Sequence, residues 1–278
     1  MIGDKKLFTV ATCSLAVSLN AFSADVLNVN DIQFKDDNFK QCVLAQKITN
    51  PAEVTKLVCR QLNIDNAHDV KYFPALQELW LSGSQLTSID LSNNTELTSV
   101  SITKSRLTGL DLNNNSKLTE LNVSFNQIID LDLTRNPQLT DLGVVSNNIE
   151  TLNLSENKQL KYLWAKENNL KEIDLSHNPQ LVQVGLNDNQ LVKVDISNNT
   201  QLSKLSLMYN QLPELDLSQN SNLKKLYITD NKLTELDISH NPKLRALWAT
   251  ENPLVKLDIR ANSALDDYEV DEGVQVQE

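Results

Sequence analysis

A chain of 278 residues, 40% hydrophobic and 22% charged, is long enough and apolar enough to bury a core of its own. Six glycines and seven prolines exclude a collagen-like or linker-dominated chain. A formal net charge of −11, with no run of Lys or Arg, argues against nucleic acid and anionic membranes as partners, because both demand basic patches.

The first element in chain order reads as an export signal over residues 1–24. Lys5 and Lys6 precede an apolar run from Leu7 to Leu19, which has the length of a signal core and is too short to span a bilayer. The small residues of "NAFSA" place cleavage after Ser23 or Ala24, so the mature chain is expected in the periplasm or outside the cell. Two other readings compete: a buried N-terminal helix, and a lipoprotein cut at Cys13, for which Thr12 is a poor preceding residue. No second apolar stretch of membrane length follows, and a soluble mature protein is expected.

Residues 25–75 form an N-terminal cap with a degenerate first repeat. "FKDDNFKQCVLAQK" (Phe34 to Lys47) predicts a short helix capped by Asp36 or Asp37, with Phe39, Cys42, Val43 and Gln46 on one face. Pro51 opens a turn or short helix. Val54, Leu57 and Cys59 then fit an L-x-x-L-x-L frame 22 residues ahead of Leu76, Leu79 and Leu81. Removal of Cys13 would leave Cys42 and Cys59, and two cysteines in an oxidising compartment predict one disulfide.

Residues 76–264 hold nine repeats of 21 residues. Leucine recurs at 76, 97, 118, 139, 160, 181, 202, 223, 244 and 265 without a slip. Each repeat contains two successive copies of L-x-x-L-x-L-x-x-N. An Asn column ends the first half (Asn126, Asn147, Asn168, Asn189, Asn210, Asn231, Asn252), with Ser84 and Ser105 in its place in the first two repeats. In L-x-L the leucines face one way and the residue between them faces out. No single turn buries its leucines alone, so the turns must stack, and nine at strand spacing give a rod or shallow arc roughly 45 Å long. Each Asn is expected to bond backbone groups of its own and neighbouring turns, a structural job.

These residues are the leucine-rich repeat motif. The nested 21-residue form, with "LDLS" in its second half, resembles a class of bacterial secreted proteins related to the internalins, and the resemblance covers residues 54 to 270. It implies a right-handed leucine-rich repeat solenoid with parallel β-strands in every turn, a helical N-terminal cap, and a binding module in place of an enzyme. Because both halves carry L-x-L, two facing strand ladders are expected, the first-half ladder the better formed, with little helix. Residues 265–278 read as a partial last strand (Leu265, Tyr268, Val270) and an acidic tail that blunts the exposed edge.

Chemistry is sparse. The sequence has no Gly-x-Ser-x-Gly, Gly-rich phosphate loop, H-E-x-x-H or Cys/His metal spacing, and its three histidines, His68, His177 and His240, read as solvated turn residues. No catalytic residue and no cofactor are expected. One charged array stands out: Asp90, Asp111, Asp132, Asp174, Asp195, Asp216, Asp237 and Asp258, interrupted by Asn153. Like charges stacked at strand spacing repel by about 1 kcal/mol per pair even in water, so something offsets them. The offset is either local hydrogen bonding or weak Ca²⁺ binding along the ladder; the second predicts a melting temperature that rises with Ca²⁺ and not with Mg²⁺.

The last signal is aromatic. The outward column of the first-half strands reads Trp80, Ser101, Asn122, Gly143, Trp164, Gly185, Ser206, Tyr227, Trp248. Gly143 and Gly185 leave Trp164 room to lie against the sheet, and Tyr162 points out of the same strand. This face, with Glu78, Lys166, Met208 and Lys225, is the expected surface for a protein partner, since exposed Trp and Tyr dominate binding hot spots. A structural or adhesive role in the cell envelope, cation-dependent through the Asp ladder, is the alternative.

Overall fold

The computed structural model describes residues 28–278. The expected signal segment 1–24, with Cys13, lies outside the described residues. The cap helix α1 spans Asp37–Ala45. Asp36, the first of the two expected caps, accepts from the Phe39 N–H at 2.8 Å. Its second oxygen accepts from the N–H groups of Asp65 and Asn66, so one carboxylate both starts the helix and ties it to the loop below. Phe39, Cys42 and Val43 are buried and Gln46 is exposed, its amide bonding the carbonyls of Cys42 and Val58. A 3₁₀ turn at Pro51–Glu53 leads into the first strand.

Eleven parallel strands form one sheet in strict order: β1 (Lys56–Arg60), β2 (Glu78–Ser82), β3 (Ser99–Thr103), β4 (Glu120–Asn122), β5 (Asp141–Gly143), β6 (Tyr162–Trp164), β7 (Gln183–Gly185), β8 (Lys204–Ser206), β9 (Lys225–Tyr227), β10 (Ala246–Trp248) and β12 (Asp267–Glu269). Lys56 pairs with Glu78, the expected offset of 22, and from β2 to β10 the register advances by 21 residues a turn. The degenerate first repeat is therefore a full turn, with Leu57 and Cys59 as buried as any later leucine. The molecule is a leucine-rich repeat solenoid of about eleven turns with little helix. Its core is a single column of stacked leucine layers, from Leu79 and Leu81 through Leu247 and Ala249 on the sheet side and from Leu86 to Leu257 opposite. No helix among the described residues is long and apolar enough to cross a membrane.

The second ladder is much slighter than the repeated L-x-L suggests. Among the described residues it is reduced to one bridge between Asp174 and Asp195 and to the pair β11 (Lys256–Asp258) and β13 (Gln275–Gln277). The Asp of every LDLS segment accepts the N–H two residues ahead, as Asp90 does from Ser92 at 3.0 Å, so the chain turns directly after it. The pairing that remains stops at such a turn, at Asp174, Asp195 and Asp258. The tail also differs from expectation. It turns at Gly273, where φ is +97°, and returns as β13 to cover the last second-half segment.

Both Asn columns are buried and bridge turns. Asn168 donates to the carbonyls of Val144 (2.9 Å), Ala165 (3.1 Å) and Lys166 (3.2 Å) and accepts the Ile149 N–H (3.1 Å). The same pattern repeats from Asn126 to Asn252. Ser84 and Ser105 instead bond each other at 2.6 Å. The residue before Ser105 and before each Asn of the first-half column, from Lys104 to Glu251, sits at φ between 52° and 59°, so these halves end in a left-handed corner.

Candidate functional site

The sheet's open face carries the aromatic column in register, because Trp80, Ser101, Asn122, Gly143, Trp164, Gly185, Ser206, Tyr227 and Trp248 occupy equivalent places on neighbouring strands. Trp164 leans toward β7: a Cβ added at Gly185 would stand 2.7 Å from the indole Cε3. The glycine at 185 is thus the seat of the ring. Gly143, on the other side, lies under the Asn122 side chain.

Lys204 bridges Trp164 and the Tyr227–Trp248 pair. Its Nζ lies 5.4 Å from the Trp164 ring centroid and 5.8 Å from that of Tyr227, and Tyr227 in turn packs on Trp248 at 4.8 Å between centroids. Trp164, Lys204, Tyr227 and Trp248 form a continuous ridge of rings and one cation across β6–β10. Nothing in the repeat pattern marked Lys204; the signal was its outward place on β8, between two aromatic turns. Trp80 stands apart, with Lys56 Nζ at 4.7 Å and Arg60 Cζ at 5.2 Å from its ring. Between Trp80 and Trp164 the face sinks into a trough of about 690 Å³ floored by Ser101, Asn122 and Gly143.

The remaining expected residues divide. Tyr162 is half-buried beside Asp141 and Gln183 in register, and Lys225 is exposed next to Lys204. Met208 is half-buried beyond the end of β8, its N–H donating to Asn187. Lys166 belongs to an ion-pair group with Glu167 (3.0 Å) and Asp188 (3.9 Å) at the sheet margin, and its ammonium is held above the usual lysine range by the Glu167 hydrogen bond. Glu78 pairs with Lys56. Trp164, Tyr227 and Trp248 therefore lie together, joined through Lys204; Trp80 with Glu78 is a second patch.

The Asp column resolves into nine identical turns. Asp90, Asp111, Asp132, Asp174, Asp195, Asp216, Asp237 and Asp258 each accept the N–H two residues on at 2.9–3.1 Å, and Asn153 does the same from Ser155. Asn fits because only an accepting oxygen is needed. Hydroxyl and then backbone donors hold Asp90, Asp132, Asp174 and Asp237 below the usual carboxylate range; for Asp195 and Asp216 the backbone N–H leads. The Arg260 guanidinium takes Asp258 to about 2. The local hydrogen-bonding account of the column has its contacts in place, and no trio of His, Cys, Asp or Glu among the described residues is arranged to hold a metal.

Two expectations follow. Carboxylates depressed in the fold lend stability that is complete above their unfolded value of 3.8 and is lost as pH falls through the folded values, that of Asp258 lying at about 2. The melting temperature should stay level from about pH 7 to 5 and fall between about pH 4 and 2; a flat profile to the acid limit would contradict this. With the repulsion offset inside the chain, a millimolar Ca²⁺ titration should leave the melt where it is, and a rise not matched by Mg²⁺ would restore the cation account.

Comparison with known proteins agrees with this architecture. A family model described as leucine-rich repeat matches residues 114–131. No curated protein sequence matches the chain. Among solved structures, the functional domain of InlJ from Listeria monocytogenes superposes with a TM-score of 0.74 at 28% identity, over 90% of this chain and 62% of that one. A leucine-rich repeat protein of Leptospira interrogans follows at TM-score 0.67 and 21% identity, covering 74% of this chain and 57% of that one. The internalin InlF of Listeria monocytogenes gives 0.55 at 19%, over 90% and 98%. This chain thus spans about three fifths of the length of the first two. It is a leucine-rich repeat protein with 21-residue repeats, structurally similar to Listeria internalins and other bacterial proteins of this architecture.

Proposed function

We propose that the chain is an exported binding module that recognises a protein partner through the outward face of β1–β10. Leucine-rich repeat solenoids are general protein-binding scaffolds and typically not catalytic, which sets the class. One observation carries the choice of face: the ridge of Trp164, Lys204, Tyr227 and Trp248 is surface-lying, with Trp248 36% exposed, and no leucine layer needs it. Rings held by a cation and by each other are pre-ordered, so a partner covering them loses little side-chain entropy. Export is supported by the N-terminal sequence and by the pairing of Cys42 with Cys59.

The test is capture of partners from host-surface and envelope extracts with the mature chain, followed by titration of the purified partner. Trp164→Ala and Trp248→Ala should each weaken binding by about 2 kcal/mol with an unchanged melt. If both variants bind a verified partner as tightly as the parent, the recognition surface lies elsewhere, first of all on the Asp-bearing half.

A further inference from the structure

The tryptophans and glycines of the open face are placed symmetrically about Trp164. Reversing the aromatic column about Trp164 sets Trp80 against Trp248, Ser101 against Tyr227 and Gly143 against Gly185. Charge reverses too. Lys56 and Arg60, on the first strand, come opposite Asp267 and Asp271 at the last, and Glu120 on β4 comes opposite Lys204 on β8. The outward positions on these strands put no like charges in opposition except Lys166, which meets itself and is already paired with Glu167 and Asp188.

We propose that this face closes on a second copy of the chain, about a two-fold axis that runs parallel to the strands beside Trp164. Such an axis preserves strand direction, reverses the order of turns and lays one face on the other, so each column meets itself backwards. Large then meets small: the trough of about 690 Å³ between Trp80 and Trp164, floored by Ser101, Asn122 and Gly143, lies opposite the second copy's Tyr227 and Lys204. Among the described residues Lys204 has no carboxylate within 4.0 Å in its own chain. Glu120 on the second copy supplies one. Two chains of net charge −11 repel as wholes, so association requires this local complementarity.

The size fits a reversible pair. Eleven strands at ~4.8 Å, each presenting three residues, give a footprint of about 500 Å² per copy. A total near 1,000 Å² is the lower limit of specific interfaces, so a dissociation constant in the micromolar range is expected. This inference rests on the outward face being a recognition surface, and the dimer would hold that face until a heterologous partner displaces it.

Sedimentation equilibrium of the purified chain from about 1 to 100 µM tests it without any other partner. The mass should double across that range. Glu120→Lys and Lys204→Glu should each weaken association by about tenfold or more, and the two together in one chain should restore it. Both side chains lie on the surface, and an unchanged melt establishes that the variants fold. A monomer at every concentration overturns the proposal, as does a dimer indifferent to both swaps or a double variant as weak as the singles. Loss of heterologous binding while the dimer persists would sink only the reading of a protein partner.

Discussion

Replacing Asn168 by alanine is expected to lower unfolding stability by about 3 kcal/mol, the sum of a buried donor left alone and a small cavity. The Ile149 N–H has the Asn168 Oδ1 as its acceptor at 3.1 Å, in a layer closed to water. Removing the side chain orphans it. The carbonyls on the other side are less exposed to the loss, because Val144 keeps a bond from Asn147 and Ala165 keeps one from Asn189. The effect should therefore come mainly from the lost acceptor. Asn168→Asp separates the two parts: it restores an acceptor for Ile149 and sets a carboxylate against three carbonyls. Denaturant midpoints of both variants decide the matter. Should Asn168→Ala match the parent, the column is not what holds the turns together.

The solenoid was legible because its cause is a spacing repeated nine times, and a buried leucine every 21 residues has few other solutions. The cap was legible through Asp36 and the apolar face of α1. What stayed hidden depends on side-chain direction. LDLS contains a strand pattern, and the pattern alone calls for a second ladder; the Asp oxygen cuts the extended stretch short by taking the N–H two residues ahead. The two polar columns of the second half also differ for a reason that types alone disclose only afterwards. The exposed column accepts from N–H groups and so tolerates Asp or Asn. The buried column, from Asn94 to Asn262, donates to carbonyls 24 and 21 residues earlier, as Asn178 does to Leu154 and Asn157, and Asp has no proton to give there. In the same way the tryptophans were visible as a column, while the ridge was not: Lys204 joins it only because Trp164 leans over Gly185 toward β8.

Reduction of the bond between Cys42 and Cys59 is expected to open the N-terminal end of the solenoid by about 3 kcal/mol, the contribution of a cross-link closing a loop of this length. The cysteines are 17 residues apart in sequence, their Cα atoms 5.7 Å apart, and they join α1 to β1. What the bond holds is the lid of an open-ended core. In a solenoid each turn is stabilised by its neighbours, so the first leucine layer, around Leu57, depends on the cap for its outer contacts. Phe39 and Val43 supply apolar contact, and Asp36 and Asp69 tie the helix and its approach through backbone N–H groups at 65, 66 and 35. These contacts keep the cap docked after reduction, but with a larger population of open states. Backbone amides of β1 and β2 should then exchange about 100-fold faster, as 3 kcal/mol converts, while those of β9 and β10 stay at the parent rate. Exchange measured with and without reductant gives the answer at single-turn resolution. Equal acceleration along all strands would show that the solenoid opens as one unit, and two free thiols in non-reducing peptide maps of the chain folded under oxidising conditions would remove the bond from the account altogether.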